Sequence, residues 1–145
     1  MNNPKIWLMM AIRFILGAIF VYSAYAKLQD SQQFAESIHG YQVFGLLISN
    51  WAAVLIPVLE GILGVLLITG IWLNETFLMT LALYLVFDLM IIQAAVRGLD
   101  IDCGCFSPSG NSPVDAAKII QNLVLTILAA IGLYLDKLFP QIRKA

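Results

Sequence analysis

Residues 6–26 read IWLMMAIRFILGAIFVYSAYA, an apolar run that carries a single charge, Arg13. At 1.5 Å per residue, a helix of about 20 residues crosses a hydrocarbon core of about 30 Å. The run therefore reads as a membrane span. Ala24-Tyr25-Ala26 looks like a signal-peptidase site and Lys5 like a basic leader. The apolar core is nevertheless longer than the roughly 7–15 residues of a signal segment, and Arg13 sits in its middle, so the span is expected to be retained.

Three further apolar runs, near 47–69, 76–96 and 114–135, give an all-α reading: a single domain over 1–145, built as a four-helix transmembrane bundle. Composition agrees, with 61% hydrophobic and 12% charged residues, far from the balance of a water-soluble domain. Membrane lipid is thus the expected surroundings. A net charge of -1 without a basic stripe offers nothing to nucleic acid. Four spans put both termini on one face, with Lys5, Lys137, Arg143 and Lys144, and leave Lys27, Arg97 and Lys118 on the other. That excess places the termini in the cytoplasm and the 97–112 loop outside.

Residues 30–41, DSQQFAESIHGY, are polar apart from Phe34, Ala35 and Ile38 at helical spacing, which predicts a short amphipathic helix on the extracytoplasmic surface. Ser112, Pro113 and Asp115 read as the N-cap, first-turn proline and acidic first turn of the fourth span.

Ionisable groups within the spans are expected to face the bundle interior with partners. Arg13, Gly17, Phe20, Ala24 and Lys27 recur at steps of four and three, so they share one helix stripe. Counting inward from the span ends puts Arg13 and Glu60 at about 12 Å depth, which predicts that they form a buried ion pair. The same count on the other side gathers Tyr22, Tyr25, Lys27, Asp88 and Asn122 into a polar pocket. Such a pocket either satisfies buried polar atoms or serves as a quinone headgroup site or proton route.

The loop 97–112, RGLDIDCGCFSPSGNS, holds both cysteines of the chain, Cys103 and Cys105, around Gly104. Two cysteines this close can bring their Cα atoms within the roughly 4.4–6.8 Å that a disulfide needs, with Gly104 relieving the backbone. So small a ring is a poor staple and an easily reduced bond. Arg97 and the start of the fourth helix favour a thiolate, whereas Asp100 and Asp102 oppose it, and Cys105 lies farther from Asp102. A redox dithiol, a structural or partner-docking turn, and a soft-metal site for Cu(I) all remain open. Structural zinc wants four ligands, and beyond the two thiolates the sequence offers only carboxylates and the sole histidine, His39, which reads as a surface residue.

Taken together, Arg13, Gly17, Phe20, Lys27, Asp30, Phe34, Tyr41, Pro57, Glu60, Gly64, Arg97-Gly98, Asp102-Cys103-Gly104-Cys105-Phe106 and Asn122 resemble the MauE family, within the DoxX-like four-helix membrane proteins. Ser107 stands where members usually have glycine, and Gln121 where a basic residue is usual. The resemblance implies a bacterial cytoplasmic-membrane protein for methylamine utilisation. It would act with an extracytoplasmic thioredoxin-like partner in maturing the disulfide-rich subunit of methylamine dehydrogenase. It also implies thiol-disulfide chemistry at Cys103 and Cys105, supported by Arg97, Gly104 and Asp102, with a quinone as a conceivable acceptor. The alternatives are a non-catalytic scaffold for that partner and a metal or small-solute carrier.

Overall fold

A computed structural model describes residues 4–43, 45–98 and 116–138. Among them are four long helices, α1 (Pro4–Gln29), α3 (Leu46–Thr69), α4 (Leu73–Val96) and α5 (Ala116–Leu138), and a short one, α2 (Ser31–Gly40). All four long helices are long and apolar enough to cross a membrane, with hydropathy between 1.8 and 2.3 over 20 to 24 residues. At most 39% of any such window is buried in the bundle, so most of the apolar surface faces outward. Leu47, Trp51, Leu89 and Val96 are among the exposed side chains, an arrangement stable only in lipid. The protein is an integral membrane four-helix bundle.

Each long helix packs against two others, α1 on α3 and α5, and α4 on α5 and α3. The short connection through Gly70 and Trp72 makes α3 and α4 antiparallel, and every adjacent pair in the ring α1–α3–α4–α5 alternates in direction. Gly70 closes α3 at φ 80, a left-handed conformation that costs glycine no Cβ clash, and its N–H donates to the Leu66 carbonyl at 2.9 Å. The core is continuous through the ring, from Met9, Leu16 and Phe20 of α1 to Leu67, Phe77, Leu125 and Ala129.

Two glycines bring α1 and α3 close together. A Cβ on Gly17 would lie 2.9 Å from the Gly64 carbonyl oxygen, and a Cβ on Gly64 would lie 2.9 Å from the Gly17 carbonyl oxygen. Small residues at these two places let the backbones touch, the usual device where lipid supplies no hydrophobic drive between helices. The contacts also fix the register: Gly61 stands by Ala24, Gly64 by Phe20 and Gly17, and Gly70 by Arg13. The helix ends are consequently staggered. At one end α1 runs about nine residues past α3, and at the other α3 rises about eight residues, or about 12 Å, past α1.

The step left above α1 is filled by α2. Asp30 caps it by accepting from the Gln33 N–H at 3.1 Å, and the expected apolar stripe, Phe34, Ala35 and Ile38, is buried against Ala53 of the protruding end of α3. Tyr41, just past the helix, reaches α4 and packs on Ala94. The α2 helix therefore lies at the same end of the bundle as the end of α4 and the start of α5, between which the cysteine segment runs.

Candidate functional site

Helical side chains lean toward their own N-terminus. Lys27, near the end of α1, leans back down a turn into the bundle, whereas Glu60, in antiparallel α3, leans up toward the α2 end. They meet: Lys27 Nζ donates to Glu60 Oε1 at 2.6 Å, with both side chains almost fully buried. Ser23, one turn below Lys27, donates to the other carboxylate oxygen at 3.2 Å. Two aromatic rings flank the ammonium, Phe34 of α2 at 5.0 Å and Phe87 of α4 at 4.9 Å from their centroids. A carboxylate and two π faces thus replace the water that Lys27 has lost.

The expected Arg13–Glu60 pair is not formed. Depth counted from the span ends assumes that α1 and α3 end flush, and they do not. Glu60 is level with Ser23, about ten residues and 15 Å up the helix from Arg13. Arg13 also leans the other way, toward the end of α3, where Nε donates to the Leu67 carbonyl at 3.1 Å and Nη2 to the Ile68 carbonyl at 3.3 Å. Those carbonyls are among the last four of α3, which have no helical donor, and they form the negative end of its dipole. Asp136 of α5 acts electrostatically on the same guanidinium.

The second buried carboxylate, Asp88 of α4, is held by α5. Asn122 Nδ2 donates to Oδ1 at 2.7 Å, and Thr126 Oγ1 donates to Oδ2 at 2.6 Å. Between this unit and the ion pair lies a small cavity lined by Ser23, Lys27, Glu60, Tyr84, Phe87 and Asn122, with room for about one water molecule. Lys27, Asp88 and Asn122 of the expected polar pocket are therefore brought together. Tyr22 and Tyr25 are not: they are 58% and 62% exposed on the lipid side of α1, where Tyr25 Oη accepts from Gln29 Nε2 at 2.6 Å. They sit off the Phe20–Ala24–Lys27 stripe, so depth alone was a poor guide to them.

The interior cavity, with room for about one water, is too small for a quinone ring. A larger, open apolar groove of about 420 Å³ lies between Ala24 and Leu28 of α1 and Pro57, Gly61 and Val65 of α3, on the face toward lipid. No group of three or more His, Cys, Asp or Glu suited to a metal occurs among the described residues.

Sequence reading missed Ser23, Phe34, Phe87 and Thr126 as members of this layer. Two carried a signal, because Ser23 is one turn from Lys27 and Thr126 one turn from Asn122. Arg97 is exposed at the end of α4, followed by Gly98 at φ 63. Asp102, Cys103, Gly104 and Cys105, and the expected cap at Ser112, Pro113 and Asp115, lie outside the described residues.

Residues 5–135 match the family described as methylamine utilisation protein MauE. The chain belongs to the MauE family. It is 33% identical over 120 residues to the MauE protein of Paracoccus denitrificans and 30% identical over 120 residues to that of Paracoccus versutus. Each alignment covers 82% of this chain but 64% of the MauE relative, so the chain spans less than two thirds of their length. No solved structure is significantly similar to it.

Proposed function

We propose that this MauE-family protein is a membrane thiol-disulfide maturation factor of methylamine utilisation. Its Cys103-Gly104-Cys105 pair exchanges with an extracytoplasmic thioredoxin-like protein. The observation that carries the reading is a Cys-Gly-Cys pair in a MauE-family chain, in a segment tethered at both ends to the face where α2 lies. In the exchange, the Cys105 thiolate attacks one sulfur of a partner disulfide, forming a mixed disulfide and releasing a partner thiolate. Attack of the Cys103 thiolate on the Cys105 sulfur then closes the Cys103–Cys105 bond and frees the second partner thiol. Two electrons pass to the partner, and the reverse sequence oxidises it.

The test is to trap Cys103→Ser and Cys105→Ser variants in native membranes and identify covalently attached proteins by mass spectrometry. A mixed disulfide with a dithiol protein, held by one variant, is the expected result. Full maturation activity of both variants would leave a docking scaffold as the surviving account.

A further inference from the structure

The Thr126 hydroxyl has one hydrogen and two acceptors within reach, Asp88 Oδ2 at 2.6 Å and the Asn122 backbone carbonyl at 3.0 Å. Asp88 Oδ1 is already engaged by the Asn122 amide at 2.7 Å, which leaves Oδ2 as the atom whose partner can change role. With Asp88 ionised, Thr126 donates to Oδ2. With a proton on Oδ2, the direction reverses: Oδ2–H donates to Thr126 Oγ1, and the Thr126 hydrogen turns to the Asn122 carbonyl. Both Asp88 oxygens and the Thr126 hydroxyl keep a partner in both states, and no heavy atom has to move.

We propose that Asp88, Thr126 and Asn122 form a membrane-embedded proton-holding site. A cavity with room for about one water reaches from Asn122 to the Lys27–Glu60 pair, and Asp88 lies one hydrogen bond behind its Asn122 wall. Uptake adds one proton to Oδ2 and flips one hydroxyl; release reverses both, with no electron transferred. The site is independent of the sulfur chemistry proposed for the loop. The charged and titratable groups facing the cavity are Lys27 of α1, Glu60 of α3 and Tyr84 of α4. On α5, Lys118 stands one turn from Asn122 toward the same end, with its side chain outside the described residues.

Infrared difference spectroscopy of the full chain in lipid nanodiscs, recorded through a pH titration, tests this directly. With nine Asp and Glu in the chain, the signal is read as the spectrum of the unsubstituted protein minus that of Asp88→Asn: a carboxylic-acid C=O band that grows on acidification is expected in that difference, and it should be unchanged by Glu36→Gln, which alters an exposed carboxyl. Thr126→Val should move that band to higher frequency, because the acid loses its acceptor, while Thr126→Ser should leave it in place. Because Asp88→Asn also removes a buried, doubly hydrogen-bonded carboxylate, the two Thr126 variants decide by themselves, through their difference spectra against the unsubstituted protein. A difference between the unsubstituted protein and a folded Asp88→Asn protein that contains no acid C=O band, or a band that ignores Thr126→Val, overturns the proposal.

Discussion

Lys27 and Glu60 meet at 2.6 Å although Lys27 lies two residues from the end of α1 and Glu60 fourteen residues inside α3. The stagger of the two helices and the opposite lean of the two side chains close that gap. Lysine here completes a charge-neutral layer in place of water.

Breaking the pair strands a charge. Glu60→Gln leaves the Lys27 ammonium without its carboxylate, and loss of one partner of a buried pair costs about 3–5 kcal/mol. Lys27→Met should cost a similar amount. The double variant should recover most of the loss, because neither charge is then left alone. Thermal unfolding in mild detergent measures all three, and a double variant as unstable as the sum of the singles would refute the coupling.

Arg13 belongs to a different layer, so its effects should be separable. Arg13→Gln removes charged donors from the Leu67 and Ile68 carbonyls, worth about 1.5–3 kcal/mol each by the usual scale of charge-assisted bonds. Combined with Glu60→Gln, its destabilisation should add to within about 0.5 kcal/mol. A large interaction energy between these two substitutions would restore the pairing that the register contradicts.

The glycine contact between α1 and α3 should tolerate little. Gly64→Val drives a side chain into the Gly17 carbonyl and the Phe20 and Val21 side chains, and overpacking of this kind costs about 1–3 kcal/mol. Gly61→Ala, whose Cβ would meet only Ala24 Cβ at an ordinary 3.6 Å, is the control and should not lower the unfolding midpoint.

Phe34 ties a surface helix to a buried ammonium. Phe34→Ala removes one ring from Lys27, about 0.5–2 kcal/mol of cation–π attraction, and much of the apolar stripe that seats α2. Limited proteolysis should cut within 30–45 sooner in this variant, with the four long helices still intact. Unchanged cleavage would show that Ala35 and Ile38 suffice to hold α2.

Spans were legible because hydropathy over about 20 residues responds to lipid and little else. The α2 helix was legible to within a residue at each end, since a polar stretch over 30–41 with apolar residues at helical spacing is a local signal. What failed was relative height. Nothing within residues 6–26 says that Gly17 will stop against Gly64 and slide α1 two turns past α3, and that slide decided between Arg13 and Lys27 as the cation for Glu60. Asp88 and Asn122 were expected at one depth and do meet, because that expectation needed only that α4 and α5 be antiparallel neighbours, whereas Phe34 over Lys27 required knowing that α2 folds back on the bundle.

That backfolding gives the outer surface a handle on the interior. A protein that peeled α2 from its seat would strip one wall from the Lys27 ammonium and open a nearly fully buried charge to bulk water. Docking on the outside of this molecule and wetting of its middle are, through one phenylalanine, the same mechanical event.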